Sequence, residues 1–122
     1  MIVDTVQEQT QNLVQELRRG VIVIAVLSQL HEEQYGYSLM KKLEEQGLQV
    51  DQGTLYPLLR RLEEQTLLKS DWRVETTRPR RYYALSDFGE KVLKEVTVEW
   101  SRIKQTVDQL LSKTKENKNE MD

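Results

Sequence analysis

The sequence contains no cysteine and a single histidine, His31. The lack of cysteine excludes disulfide bonds, thiolate metal sites and cysteine nucleophiles. A lone histidine argues against a histidine-based metal site within one chain, so we expect neither a metal nor another cofactor. Carboxylates are numerous, but none forms a paired acid–base set in an apolar setting, and no glycine-rich phosphate loop is present. We therefore do not expect an enzyme.

Long hydrophobic runs are also missing. The longest, Val21 to Leu27, falls well short of the roughly 20 residues that a membrane-spanning helix needs. The N-terminus lacks the basic segment and the apolar stretch of a signal peptide, which predicts a cytoplasmic protein without a membrane partner. A length of 122 residues is typical of one domain.

The chain carries no net positive charge, but its basic residues are locally concentrated. The net charge of −2 and the pI near 5.5 argue against a protein that coats nucleic acid through its total charge. Residues 60–81 nevertheless carry seven basic and four acidic side chains. Specific DNA binding depends on such a distribution rather than on the sum, so double-stranded DNA remains a candidate partner.

An apolar stripe with helical spacing marks residues 51–63, and it consists of Leu55, Leu58, Leu59 and Leu62. The other side of this helix is polar and basic, with Gln52, Tyr56, Pro57, Arg60 and Arg61. Asp51 and Thr54 both fit its N-cap. With Asp51 as the cap, Pro57 lies beyond the first turn and should bend the helix, whereas with Thr54 it lies harmlessly in the first turn.

Two helices are predicted before this one. Residues 5–30 have a helical pattern, and the all-round apolar segment that begins at Val21 suggests burial. Gly20 is expected to kink or break this helix and to separate an N-terminal helical arm, residues 1–20. A polar connection, residues 31–34, leads to a second helix that opens at residues 35–38 and ends at Gly47, a plausible C′ residue.

The next segment predicts a hairpin. Residues 67–74 alternate, so that one strand face carries Leu68, Ser70, Trp72 and Val74. Residues 75–77 form the tip, residues 82–85 form the return strand, and Ser86 fits the N-cap of a last helix. The fold class is therefore mainly α with a small β-hairpin: a winged helix-turn-helix domain, residues 21–86, and a long C-terminal dimerisation helix, residues 87–111. The polar residues 112–122 are predicted to be a disordered tail.

The last helix has a narrow heptad seam, formed by Val96, Trp100, Ile103, Val107 and Leu110. Such a seam usually meets another helix, and the simplest partner is its own copy in a homodimer. Trp100 is the only large aromatic residue in this seam. It either stacks a planar aromatic ligand or simply fills the interface, and on the residues alone the packing interpretation is the simpler one.

Three groups of residues are candidate DNA contacts. Gln52, Tyr56 and Arg60 would project into one groove, where arginine can pair with guanine and glutamine with adenine; the alternative is a solvated polar face. The hairpin arginines would lie near phosphates or else only keep an edge strand soluble, and they are Arg78, Arg80 and Arg81. Tyr37, with Lys41 and Lys42, either touches phosphate from the second helix or packs at the core edge.

Three segments resemble the PadR family of bacterial transcriptional regulators: Tyr35-Gly36-Tyr37, Gly53-Thr54-Leu55-Tyr56-Pro57-Leu58-Leu59-Arg60-Arg61-Leu62-Glu63, and Arg78-Pro79-Arg80-Arg81-Tyr82-Tyr83-Ala84-Leu85-Ser86. The likeness covers roughly residues 21–111 and points to the short members with a single C-terminal helix. It implies a homodimeric winged-helix repressor on an inverted-repeat operator, released by an effector. By the same resemblance, Gly53, Thr54, Pro57 and Arg61 join the DNA-contacting set.

Residues 99–102 resemble the stretch in which multidrug-sensing members of that family stack planar drugs between paired tryptophans. The resemblance therefore raises Trp100 as a candidate contact for a small planar aromatic effector. Three residues depart from the family: Thr66 and Thr77 replace usual glycines, and Lys104 is basic where the drug-binding members carry an acid. An alternative of another class is a winged helix that binds a protein partner and not DNA.

Overall fold

The computed structural model of the chain describes residues 5–75 and 77–121, and the side chains of all of these except 75 and 114–121. In chain order the elements are α1 Val6–Ser28, β1 Gln34–Tyr35, α2 Gly36–Glu45, α3 Gln52–Glu64, β2 Leu68–Glu75, β3 Arg78–Leu85 and α4 Asp87–Met121. The three strands form one small antiparallel sheet, which contacts α2, α3 and α4. This arrangement confirms the predicted winged helix-turn-helix followed by a long C-terminal helix.

Apolar side chains from all four of these helices meet in one core with the sheet. The most completely buried are Val26, Leu27, Leu30, Leu39, Leu55, Leu59 and Leu62. The leucine stripe of α3 is buried as its spacing predicted. Full burial of one such leucine contributes roughly 1.5–3 kcal/mol relative to an exposed position. This burial determines which side of α3 faces outward.

Helix α1 is continuous through Gly20, so the predicted break at that residue is wrong, while a kink there stays a prediction. A Cβ at Gly20 would meet open space. The two halves of α1 differ in their surroundings. Leu13 and Leu17 in the first half are exposed, whereas the second half enters the core through Ile22, Val26 and Leu27.

The sheet has the strand order β1-β3-β2, and its first strand was not predicted. Gln34 pairs with Tyr83 and Tyr35 with Tyr82. The interpretation of residues 31–34 as a connection is therefore wrong at Gln34. A strand of two residues has no periodicity that a sequence pattern could reveal.

The β2–β3 hairpin is longer than the sequence pattern suggested. Its register runs from Leu68 opposite Leu85 to Glu75 opposite Arg78. Strand β3 thus begins four residues before the predicted start at Tyr82, and the predicted tip shrinks because Glu75 is paired. Thr77 lies between the strands, and residue 76 lies outside the described part of the chain.

Helices α2 and α3 end in the same kind of turn. Each has a left-handed residue after its C-cap: Gly47 with a φ of 95° and Thr66 with a φ of 63°. In both turns the next amide donates to the carbonyl five residues earlier, over 2.9 Å after Gly47 and 3.0 Å after Thr66. This pattern confirms Gly47 as a C′ residue, and it places a β-branched residue in the equivalent position of α3.

The start of α4 is fastened to the turn after α3. Ser86 Oγ accepts a hydrogen bond from the Gly89 amide over 2.9 Å, which confirms the predicted N-cap. The same hydroxyl donates to the Thr66 carbonyl over 2.6 Å. A Cβ at position 89 would overlap the backbone carbonyl of Leu67, so α4 packs directly on this turn.

Helix α4 extends to Met121, which makes the predicted end near Leu111 wrong. Residues 112–121 are helical rather than a disordered tail, and Asp122 lies outside the described residues. Lysine and glutamate favour helix without any apolar periodicity, so a polar segment can prolong a helix that packing has already started.

Candidate nucleic-acid interface

The outward side of α3 results from its N-cap and its buried stripe. Asp51 Oδ1 accepts a hydrogen bond from the Thr54 amide over 2.8 Å, so Asp51 is the cap and Pro57 lies inside the helix, beyond the first turn. Gln52 and Arg60 are exposed and Tyr56 is half-buried. The predicted reading face is therefore accessible along its whole length.

Two surfaces flank this helix, and the predicted contacts divide between them. A cleft of about 350 Å³ separates α3 from the hairpin, and it is lined by Tyr37, Tyr56, Arg60, Trp72, Arg80 and Arg81 among others. On the other side, Thr54, Pro57 and Arg61 line a separate groove with Arg19 of α1. Gly53 is exposed and lies near the N-cap. A Cβ at this position would meet only the Asp51 side chain.

The contact between α2 and α3 depends on a glycine. A Cβ at Gly36 would overlap the ring of Tyr56, so only glycine allows this ring to lie against the start of α2. Tyr37 is 46% exposed, which favours solvent over the core edge for its side chain. Lys41 Nζ lies 5.8 Å from the centroid of the Tyr37 ring. The cation and the phenol therefore share one outer surface of α2.

The hairpin arginines do not form a single group. Successive side chains of a strand point to opposite faces, so Arg78 and Arg80 share one face of β3 and Arg81 lies on the other. The Arg80 guanidinium stacks 4.5 Å from the centroid of the Tyr35 ring. Tyr35 in turn meets Tyr82 edge to face, with centroids 5.5 Å apart.

Arg81 is held inside the angle between the hairpin and α3. Its Nη2 lies 2.5 Å from Glu63 Oε1, and its Nε donates to Ser70 Oγ over 3.0 Å. Ser70 Oγ also donates to Glu63 Oε2. Arg81 was predicted as a phosphate contact, and no pattern in the sequence indicated Glu63 or Ser70 as its partners. Strand alternation from Arg78 onward is the signal that separates Arg81 from its neighbours.

Aromatic rings enclose the same guanidinium. Its carbon lies 5.6 Å from the centroid of Trp72 and 5.5 Å from that of Tyr83. Burial raises the pKa of the Tyr83 phenol, and the Arg81 charge opposes that rise in part. Tyr83 therefore stays neutral to higher pH than a free tyrosine.

A second arginine of the hairpin is also paired. Arg73 Nη1 lies 2.5 Å from Glu33 Oε1, and its Nη2 donates to Glu33 Oε2 over 2.6 Å. The hydrogen bond to Glu33 raises the pKa of the Arg73 guanidinium. Its carbon lies 4.7 Å from the centroid of the Tyr82 ring. Glu33 lies outside residues 60–81, so this pair offsets one of the three excess positive charges counted there.

The predicted dimer seam runs along the outside of α4. Ile103 is 46%, Val107 45% and Leu110 58% exposed in the single chain. Val96 and Trp100 are half-buried. Beside Trp100, a hydrogen bond from Arg102 to Glu99 lowers the pKa of the Glu99 carboxyl. The seam therefore remains open to a partner or a ligand.

Within residues 5–75 and 77–121, no group of three or more His, Asp or Glu side chains is placed to hold a metal ion. His31 lies 3.7 Å from Glu90 at the surface. None of the helices in this part of the chain is both long and apolar enough to cross a membrane.

Comparisons with known proteins agree with this geometry. Residues 23–95 match the transcriptional regulator PadR-like family. The crystal structure of a PadR family transcriptional regulator from Eggerthella lenta is 46% identical, covers 86% of this chain and 94% of its own, and superimposes with a TM-score of 0.82. A PadR-like transcriptional regulator from Bacillus cereus is 32% identical, with coverages of 79% and 96% and a TM-score of 0.70.

A transcriptional regulator of Mycobacterium tuberculosis is 37% identical over 81 residues, which are 66% of this chain and 76% of that protein. The family match spans the helix-turn-helix, the hairpin and the first part of α4. It includes every candidate DNA contact named above. The chain therefore belongs to the PadR-like family of transcriptional regulators.

Proposed function

We propose that the chain is a DNA-binding repressor that acts as a homodimer on an inverted-repeat operator. The observation that carries this proposal is the outer side of α3, where Tyr56 and Arg60 line one cleft together with Arg80 of the hairpin. A helix in the major groove with a basic hairpin on flanking phosphates requires this juxtaposition. Tyr37 and Lys41 of α2 would then meet the phosphate backbone beside the groove.

The exposed seam of α4 supports the homodimer. Apolar a/d positions that lie open in one chain favour association with a second helix, and identical helices give a two-fold axis. The two copies of α3 would then read half-sites on one face of the DNA, about 10 bp apart or a multiple of that distance. Repression follows if such a dimer blocks a promoter.

A planar aromatic effector at Trp100 is the regulatory part of the proposal. Such a compound would lie between the two α4 helices and favour one spacing of the reading heads over the other. Fluorescence titration of a Trp72→Phe variant isolates the Trp100 signal, because these are the two tryptophans of the chain. Quenching that accompanies release of DNA supports this role, and the lack of quenching by any planar aromatic compound would remove it.

The test of DNA binding is fluorescence anisotropy with the fragment upstream of the protein's own gene and with unrelated DNA, at low and high salt. We expect tight, selective binding that weakens as salt rises. Replacing Arg78 and Arg80 with alanine removes up to four phosphate contacts per dimer, which lowers the salt slope by about 3–4. Lys91→Ala/Lys94→Ala on α4 is the matched control, since it removes two exposed positive charges that do not line the cleft between α3 and the hairpin.

The same titration addresses the second candidate function, a winged helix that binds a protein partner. The net charge of −2 favours that function. A folded dimer that fails to bind any DNA at low salt would contradict the repressor proposal and support the protein-binding one.

A further inference from the structure

A closed network of three side chains links the recognition helix to both strands of the hairpin. Glu63 comes from α3, Ser70 from β2 and Arg81 from β3. Arg81 contacts Glu63 Oε1 over 2.5 Å and Ser70 Oγ over 3.0 Å, and Ser70 donates to the other oxygen of Glu63. Each member thus contacts the other two. If one of these contacts breaks, the third side chain still links the two that have separated.

The network is shielded from solvent in part. The Arg81 side chain is 33% exposed and that of Glu63 is 26% exposed. The rings of Trp72 and Tyr83 approach the guanidinium at 5.6 Å and 5.5 Å. Partial burial reduces screening by salt, and the fork of arginine fits the carboxylate and hydroxyl geometrically.

The charges of this network cancel. Arg81 carries one positive charge and Glu63 one negative charge, so the pair adds little attraction for a phosphate backbone. Arg78 and Arg80, by contrast, lie on the opposite face of β3. Their position suits phosphate contact, whereas the donors of Arg81 are already directed at α3.

The position of the network along α3 gives it a consequence for DNA. Glu63 follows Arg60 by three residues, so both lie on neighbouring turns of the same side of the helix. The hairpin is therefore fastened at the turn that carries a predicted base contact. A fixed angle between hairpin and helix lowers the ordering cost of docking both at once.

We propose that Arg81 is a positioning residue that fixes the hairpin to the recognition helix through Glu63 and Ser70, and not a phosphate contact. This role rests on the proposed DNA-binding function. Arg81 thereby prealigns the outer arginines of the hairpin with the groove that α3 enters. It acts through geometry, so its loss should change affinity without changing the number of counterions released.

The test compares Glu63→Ala with Glu64→Ala in salt-dependent anisotropy titrations of the DNA fragment upstream of the protein's own gene. Both variants remove one negative charge from the end of α3, and Glu64 is exposed and outside the network. On charge alone, both should bind DNA equally well or more tightly than the wild type. Because Glu63 pairs with Arg81 and Glu64 lies outside the network, we expect Glu63→Ala to weaken binding about tenfold with an unchanged salt slope. Glu64→Ala should show no loss.

A second pair of variants separates positioning from phosphate contact. The Glu63→Ala/Arg81→Ala double variant keeps the net charge, and it should lose no more affinity than Glu63→Ala alone. A lost phosphate contact would instead add a further loss and lower the slope by about 1.8 for the two copies in a dimer. Ser70→Ala changes only a hydroxyl, so it preserves the fold, and it should weaken binding a few-fold at constant slope.

Each outcome has one meaning. Unweakened binding by folded Glu63→Ala and Ser70→Ala, or a lower slope in the double variant, overturns the positioning role while leaving the repressor proposal intact. Failure of the wild type to bind any DNA overturns the proposed function and, with it, the role of Arg81.

Discussion

Thr66 is the position where a single substitution should stabilise the protein. It has a φ of 63°, and its side chain is exposed at the turn between α3 and β2. The equivalent position after α2 is Gly47, whose φ is 95° and whose surroundings are open. Replacing Thr66 with glycine would give both turns the same residue type while keeping the backbone bonds that close them.

The expected gain follows from two opposing terms. A non-glycine residue such as the β-branched Thr66 costs roughly 1–2 kcal/mol in the left-handed region. Glycine reduces this gain by roughly 0.5–1 kcal/mol, because it gives the unfolded chain greater conformational freedom. The Thr66 hydroxyl donates to the neighbouring Gln65 carbonyl over 2.6 Å, but this bond is exposed and adds little to stability. The free energy of unfolding should therefore rise by about 0.5–1 kcal/mol.

Thermal and urea unfolding at one fixed protein concentration measure this difference. With about 2.1 cal/mol/K of unfolding entropy per residue, a chain of 122 residues should gain about 2–4 °C in Tm. Gly47→Thr is the reciprocal control. No atom lies within 4 Å of a Cβ at that position, so its expected loss of about 0.5–1 kcal/mol, from the same two opposing terms, is conformational and not steric.

Equal or lower stability of Thr66→Gly, combined with a destabilised Gly47→Thr, would refute the reasoning for the α3 turn. It would mean that the threonine side chain stabilises this turn by more than its backbone conformation costs. Loss of the DNA affinity in an otherwise stabilised Thr66→Gly would instead assign the turn a role in binding.

Three further substitutions test the packing described above. Gly89→Ala should lower the free energy of unfolding by about 3 kcal/mol or more, because its Cβ would overlap the rigid Leu67 carbonyl. Urea unfolding measures this loss, and a change below about 1 kcal/mol would contradict the expectation. Gly36→Ala should displace the Tyr56 ring, which should weaken DNA binding several-fold while Tm falls only slightly. A wild-type affinity of this variant would show that the position of the ring is dispensable for DNA binding. Burial raises the pKa of Tyr83, so the folded state keeps its proton where the unfolded state loses it, and stability should fall as pH rises above the ordinary value of 10.0. Tyr83→Phe should flatten that decline, and an unchanged pH profile would exclude Tyr83 as its source.

Periodic patterns predicted the long elements well. The leucines of α3 recur at helical spacing and are buried, so the sequence alone identified which face of α3 points outward. The helix caps Asp51 and Ser86 were also recognised from residue type, although the choice between Asp51 and Thr54 required the structure. Such features are local, and their causes lie within a few residues of sequence.

The misjudged features depend on cooperativity or on distant partners. Gly20 does not interrupt α1, because one glycine costs only about 1 kcal/mol against the flanking helical hydrogen bonds and the buried second half. Strand β1 exists only because Gln34 and Tyr35 pair with β3, nearly fifty residues later in the chain. The polar end of α4 likewise continues a helix that is already formed.

The candidate site was predicted in its residue content but not in its internal partners. Arg78, Arg80 and Arg81 were assigned one role because the strand was expected to begin only at Tyr82. Once β3 starts at Arg78, alternation places Arg81 on the inner face. Its pairing with Glu63 spans α3 and β3, and a contact of this kind has no signature in one sequence.

The hydroxyl of Ser86 fixes the start of α4, so that any tilt of this helix pivots there. It bonds both to the first turn of α4 and to the residue that ends α3, and the tight packing of Gly89 leaves no slack there. With 35 residues at about 1.5 Å each, α4 is an arm about 52 Å long, so a tilt of about 5° at its base displaces its far end by about 4.5 Å. Conversely, a shift of a few ångströms at the far end would correspond to a small rotation of α4 at its contact with the turn that ends α3.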